Sequence, residues 1–356
     1  MAATALPCPP GPEGATVNGT KNSPIEAVKD LSAQASSILL SAEGCDFYTL
    51  DGLKDYQTPL DHNLLGNGLL RRGAGCLLTG GTGIGKSVLA EQISVAVAGG
   101  DKLLGRIPVC AAVRVLHIEA ENDAETLKRD FCSITTNTGA QHTTVNQNLK
   151  IVHAYALAGE MFPHWLDVMM AEYKPDLVVI DPYQAFVGAI DINNTMGFLG
   201  WISPVQKTIQ QHNAALLLVA HTTKPRDRES WNPRESVYMA AGTSAISNWA
   251  RTSMELCTVG QETNRFLLRF GKNAERNGLQ DEAGRVVRKL YLEHSGQIHA
   301  PYWRVSKDQA PQINSEYLDP VRAHYEKNPE ASLRDVAKAV GCGKDTVQKI
   351  KTRLAL

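Results

Sequence analysis

Gly80-Gly81-Thr82-Gly83-Ile84-Gly85-Lys86-Ser87 is a full match to the pattern G-x-x-x-x-G-K-[ST]. Its flanks have the required character. The apolar run Cys76-Leu77-Leu78-Thr79 precedes it and reads as a buried strand. Ser87 to Ala98 follows with apolar residues at helical spacing, and Gly99-Gly100 is a stop signal. Strand, glycine-rich loop and helix is the context in which this motif holds a nucleoside triphosphate. The glycines let backbone N–H groups turn inward around phosphate oxygens, and the helix directs its positive end at them. Lys86 is placed to reach the β- and γ-phosphates and Ser87 to bind Mg²⁺, with Val88 closing the cradle. The expected cofactors are therefore ATP and Mg²⁺.

Downstream, the chain alternates apolar strands with helices. Val113–Ile118, Lys150–Tyr155, Leu177–Asp181 and Ala214–Ala220 read as strands. Asp123–Thr135, Met161–Tyr173 and Phe198–His212 read as helices. Continuously apolar strands between helices imply a mostly parallel sheet covered on both faces. Arg265–Phe270 and Val287–Leu292 read as β additions at an edge. Residues 1–25, rich in Pro, Gly, Ala and Thr, are expected to be a disordered tail. Residues 26–300 form the α/β domain, 301–320 a Pro-containing linker, and 321–356 a small all-α module.

The 356 residues are 43% hydrophobic and 21% charged, with a formal net charge of −1. Bulk charge therefore does not mark a polyanion binder, and any nucleic-acid surface has to be local. The 7 cysteines form no C-x-x-C pair, which points to reduced thiols and a cytoplasmic setting. No signal peptide and no apolar run of membrane-spanning length is expected.

Beyond the phosphate cradle, Asp181 ends a buried strand and can hold Mg²⁺ through water. Pro182 and Tyr183 follow it, so no Glu stands beside it to activate water. That role passes to Leu116-His-Ile-Glu119-Ala-Glu121-Asn-Asp123. Of Glu119 and Glu121, one is expected to face the site, and the loop position just past the strand favours Glu121 as base. The alternative is that both cap the next helix.

These stretches, together with Leu217-Leu-Val-Ala-His221-Thr-Thr-Lys224-Pro, resemble the RecA-like P-loop ATPases over roughly residues 45–295. Within them the chain is similar to plasmid RepA-type hexameric replicative helicases. The resemblance implies a ring, a catalytic Glu121, and His221 as γ-phosphate sensor; a turn-capping His221 is the plainer alternative. It implies an adenine-stacking Arg129. It also implies a cation supplied to a neighbour's γ-phosphate, from Arg251, Lys272 or Arg276; Lys272 and Arg276 stand two residues farther apart than in the family's Lys-x-Arg element. The segment with Lys224, Arg226 and Arg228 matches in position the family's central single-strand DNA loop; a solvated loop balanced by Asp227 and Glu229 is the alternative.

The last segment, 321–356, carries eight Lys/Arg against four acids. Ser332–Val340, the turn Gly341-Cys-Gly343 and Lys344–Arg353 give a helix-turn-helix pattern. Lys344, Thr346, Gln348 and Lys349 are its expected nucleic-acid contacts; docking of a protein is the other use of such a module. The leading expectation is an ATP-dependent DNA helicase. An ATP-switched DNA-binding regulator is the alternative, and a small-molecule kinase is disfavoured by the lack of an arginine-rich lid.

Overall fold

The computed structural model describes residues 48–189, 194–222, 244–259, 264–297, 299–307 and 315–354. The expected tail at 1–25 and the loop holding Lys224, Arg226 and Arg228 lie outside them. The chain divides into two units, Met1–Thr58 and Pro59–Leu356. In the first, helix α1 (Leu50–Asp55) is capped by the Thr49 side chain, which accepts from the Gly52 N–H at 3.0 Å.

The second unit is built on a nine-stranded sheet. Strands β1 (Asn63–Leu65) and β2 (Leu70–Arg71) form a separate small ribbon. The main sheet has β3 (Gly75–Gly80), β4 (Val115–Glu119), β5 (Leu149–His153), β6 (Leu177–Asp181), β7 (Ala215–His221) and β8 (Thr252–Thr258) in parallel. Antiparallel β9 (Arg265–Phe270), β10 (Lys289–His294) and β11 (Trp303–Val305) extend one edge. The order is β11-β10-β9-β8-β3-β7-β6-β4-β5. The expectation of a mostly parallel sheet with a β-rich edge therefore holds.

Two-residue periodicity sorts the strands between two cores. Leu78, Val179 and Leu217 point to one face, which α2 (Lys86–Gly99) and α3 (Ala124–Thr138) cover through Leu89, Ile93, Leu127 and Phe131. Leu77, Ile180 and Leu218 point to the other, under α5 (Met161–Tyr173), α6 (Thr195–Gln211) and α7 (Ser244–Trp249); the short α4 (His142–Asn148) leads into β5.

One expected boundary is corrected. The linker assigned to 301–320 contains β11, and Trp303 is buried in the main core. Helix α8 (Ser315–Lys327) begins inside the same range. Helices α9 (Leu333–Val340) and α10 (Lys344–Leu354) follow over the expected residues. Ser332 caps α9 by accepting from the Asp335 N–H at 3.2 Å, and Gly341 ends it with φ 75°. Val321 and Tyr325 of α8 pack with Val336, Val347 and Ile350, so the three helices share one small core. Among the described residues no helix is long and apolar enough to cross a membrane.

Candidate nucleotide site

The parallel strands put their carboxyl ends on one edge, and the phosphate cradle forms there. Gly80 ends β3, and Gly85 caps α2 with φ 87°, a conformation that costs glycine little. A Cβ on Gly80 would stand 2.5 Å from the Leu256 carbonyl oxygen, so only glycine lets the loop leave the sheet here. A Cβ on Gly83 meets nothing within 4 Å, which leaves the lip of the loop open to a ligand. Lys86 is buried, and its ammonium donates to the Gly81 carbonyl at 2.7 Å. Desolvation pulls its pKa down while Asp181 and Glu121 oppose that shift. A buried cation curled onto its own loop, facing two carboxylates, is what a triphosphate with Mg²⁺ would engage. Glycines, lysine and acids together fit the pair.

Asp181 is buried, and its Oδ2 has no hydrogen-bond partner. Burial and then the neighbouring Glu119 push its pKa up to about 8, while the Ser87 hydroxyl and Lys86 favour the ionised form. A cation beside Ser87 would likewise favour the ionised carboxylate.

Only one of Glu119 and Glu121 was expected to face the site. That expectation is corrected: β4 ends at Glu119, and the turn after it brings the Glu121 carboxyl to the same site, 3.9 Å from His221 Nε2. Glu119 is buried, and its Oε1 accepts from the Glu121 and Asn122 N–H groups at 2.8 and 3.0 Å. It thereby holds the loop that presents Glu121, whose side chain is 57% exposed. The cap of α3 is Asp123, accepting from the Thr126 N–H at 2.8 Å, so neither glutamate serves that purpose.

His221 ends β7 and lies between the two polar groups. Its Nδ1 is 3.2 Å from Lys86 Nζ and its Nε2 is 3.9 Å from Glu121 Oε1. Burial and Lys86 lower its pKa, so a neutral ring accepting from Lys86 and directing Nε2–H toward Glu121 is the favoured form. Arg129 ion-pairs with Asp130 and lines a cavity of about 590 Å³ with Gly83, Gly85 and Val88 on one side and Phe266, His294 and Pro301 on the other. A planar base beside the cradle has both a guanidinium and ring walls there.

Arg251, Lys272 and Arg276 do not join this group. Arg251 N–H bonds Gly75 at the start of β3, and Lys272 N–H bonds Ser253 Oγ at the start of β8. Both mark the amino edge of the sheet, the length of β3 away from Gly80, or about 16 Å at 3.3 Å per residue. Lys272 Nζ reaches the Ser247 and Asn248 carbonyls at 3.4 and 3.2 Å. Arg276 Nη1 is buried without a partner. Arg71, on β2, is lowered first by desolvation and then by the positive charges of Arg276 and Arg251.

Sequence reasoning missed Trp303. Its Nε1 donates to the Gly85 carbonyl at 3.0 Å, and Gln92 of α2 bonds its backbone twice, at 2.8 and 2.9 Å. The far edge of the sheet thus braces the start of the cradle helix. The alternation Tyr302-Trp303-Arg304-Val305 was the available signal.

In the C-terminal helices Lys344 and Gln348 are exposed and Thr346 is half-buried. Lys349 lies on α10, and its side chain is outside the described set.

Fold and site together define a P-loop ATPase domain of RecA-like architecture. The profile of the AAA domain family matches residues 46–227, and the chain belongs to that family. Among solved structures it is similar to the KaiC-like protein PH0186 from Pyrococcus horikoshii OT3, with 15% identity and a TM-score of 0.44, covering 67% of this chain and 93% of that one. No curated protein matches it significantly.

Proposed function

We propose that this chain is an ATP-driven DNA motor, a ring-forming helicase of the RepA type that serves replication of a mobile element. The observation that carries the reading is the split of charge between the two ends of the sheet. Lys86, Asp181, Glu121 and His221 stand at the carboxyl edge; Arg251, Lys272 and Arg276 stand at the amino edge. A second copy, stacked head to tail, is what brings the two sets together, and a closed series of such contacts is a ring.

Bound ATP with Mg²⁺ would supply the scissile phosphoryl group and the charge held by Ser87 and Asp181. Glu121, exposed beside the cradle, accepts the proton of the attacking water. His221 links Lys86 to Glu121 and starts the loop that contains Lys224, Arg226 and Arg228, so loss of the γ-phosphate is felt where DNA is gripped. Arg129 stacks on the base. A neighbour's arginine stabilises the charge of the transition state. Lys344, Thr346, Gln348 and Lys349 contact duplex DNA.

Strand displacement tests the reading. The wild type unwinds a forked duplex with ATP and shows ATPase stimulated by single-stranded DNA, whereas Glu121→Gln binds nucleotide but neither hydrolyses nor unwinds. ATPase indifferent to DNA, with site-specific duplex binding intact in Lys86→Ala, would overturn it in favour of an ATP-switched regulator. The compact core of α8–α10, with Lys344 exposed, is the feature that regulator would use.

A further inference from the structure

Beneath the phosphate cradle, between α2 and the sheet, four buried side chains converge. His117 and Glu119 lie two residues apart on β4 and share its α2-facing side, and Glu119 pairs with Asp181 across the β4–β6 ladder. The three are 0%, 1% and 1% exposed. One ligand-capable atom of each lies within 4.8 Å of the others. Glu91 on α2, 0% exposed, faces the same acids from the helix side.

Each of these groups has an atom that the protein leaves unsatisfied: His117 Nε2, Glu119 Oε2, Asp181 Oδ2 and both oxygens of Glu91. Buried polar atoms of this kind are rare in native folds, and each is costly when unpaired. The other atoms are already committed. Ser94 Oγ lies 3.0 Å from the Ala90 carbonyl and 2.9 Å from His117 Nδ1, and both contacts are filled in the tautomer whose Nδ1–H donates to Oγ while the hydroxyl donates to Ala90. Nε2 is then left with its lone pair, the arrangement that a hydrogen-bond acceptor at the other ring nitrogen imposes on metal-binding histidines. Glu119 Oε1 is committed to two backbone N–H groups, which leaves Oε2 free.

We infer that His117, Glu119 and Asp181 form a buried site for a first-row transition-metal dication such as Mn²⁺ or Zn²⁺, which shares Asp181 with the Mg²⁺ position at Ser87 but draws its other ligands from β4. One imidazole with two carboxylates selects such ions over Mg²⁺. Glu91 adds negative charge outside the ligand set. Metal–donor bonds of about 2.1 Å place donors roughly 3–4 Å apart, so closure asks for side-chain shifts of about an ångström. Glu119 also holds the loop of Glu121, so the ion would stiffen the catalytic loop from below.

The test uses the full chain, stripped by chelator and free of nucleotide, titrated with Co²⁺ and followed by calorimetry and visible absorption. The expected result is one equivalent bound with a ligand-field band. His117→Gln and Glu119→Gln weaken binding at least 50-fold, whereas Ser87→Ala, which touches only the shared Asp181, weakens it less than 5-fold. Since core variants can misfold, the wild type loaded with one Mn²⁺ is also examined by pulsed EPR, where nitrogen coupling from an imidazole is expected. Absence of nucleotide-free binding overturns the site. So does binding that survives His117→Gln but is lost in Ser87→Ala, or bound Mn²⁺ without nitrogen coupling.

Discussion

Replacing Trp303 tests whether the far edge of the sheet supports the phosphate cradle. The side chain is 1% exposed and meets Phe266 and His294 edge-on at 4.8 and 4.9 Å between ring centroids. Truncation to alanine removes this packing and leaves a cavity, a change that costs about 3–5 kcal/mol. Trp303→Phe keeps most of the ring contacts and removes the Nε1 bond to Gly85. The Gly85 carbonyl still accepts from the Leu89 N–H at 3.1 Å, so its loss is partial, and about 0.5–1 kcal/mol is expected. Urea unfolding without nucleotide measures both values. Repetition with saturating ADP and Mg²⁺ shows whether the deficit grows, which it does if the brace shapes the cradle. A Trp303→Ala cost below about 1 kcal/mol, or a deficit unchanged by nucleotide, would refute the reasoning.

Gly80→Ala forces a Cβ against the Leu256 carbonyl at 2.5 Å, and neither backbone can yield; loss of nucleotide binding in a filter assay and a lowered thermal midpoint are expected. Asp181 carries a pKa raised from 3.8 to about 8, so the folded chain holds this proton more tightly. Its contribution is present below about pH 4 and is lost as pH rises through about 8; Asp181→Asn should therefore flatten the fall in metal-free stability over that window in a pH series of melts. Cys76 is buried and its thiol is pushed up to about 12, whereas Cys110 and Cys132 are exposed. A thiol reagent at pH 8 should label Cys110 and Cys132 in the native chain and Cys76 only after denaturant, as read by peptide mass mapping.

The cradle was legible because its chemistry is local. Glycines that permit the loop, the lysine and the serine are consecutive, and the strand and helix beside them carry their own periodicity. Asp181 was legible for the same reason, since it ends an apolar run. The glutamates were legible as a pair but not in their roles. Where the strand ends decides them, and only the ladder partner Asp181 and the N–H groups of the turn show Glu119 buried on the strand and Glu121 exposed just past it. Trp303 was read as part of a linker because a three-residue strand has too little pattern to stand out, and its importance comes from Gly85, far away in the chain.

By itself, the sequence determined a parallel α/β sheet, a phosphate-binding loop, the aspartate that ends a buried strand and a small helical end, because each follows from residues within one or two turns of one another. Tertiary structure alone decided which groups meet. Strand order set Arg251, Lys272 and Arg276 at the edge opposite this chain's own cradle, and a Lys86–His221–Glu121 line at the near one. It also buried His117, Glu119, Asp181 and Glu91 together. Pairing register and long-range closure carry that information, and neither leaves a periodic trace in the chain.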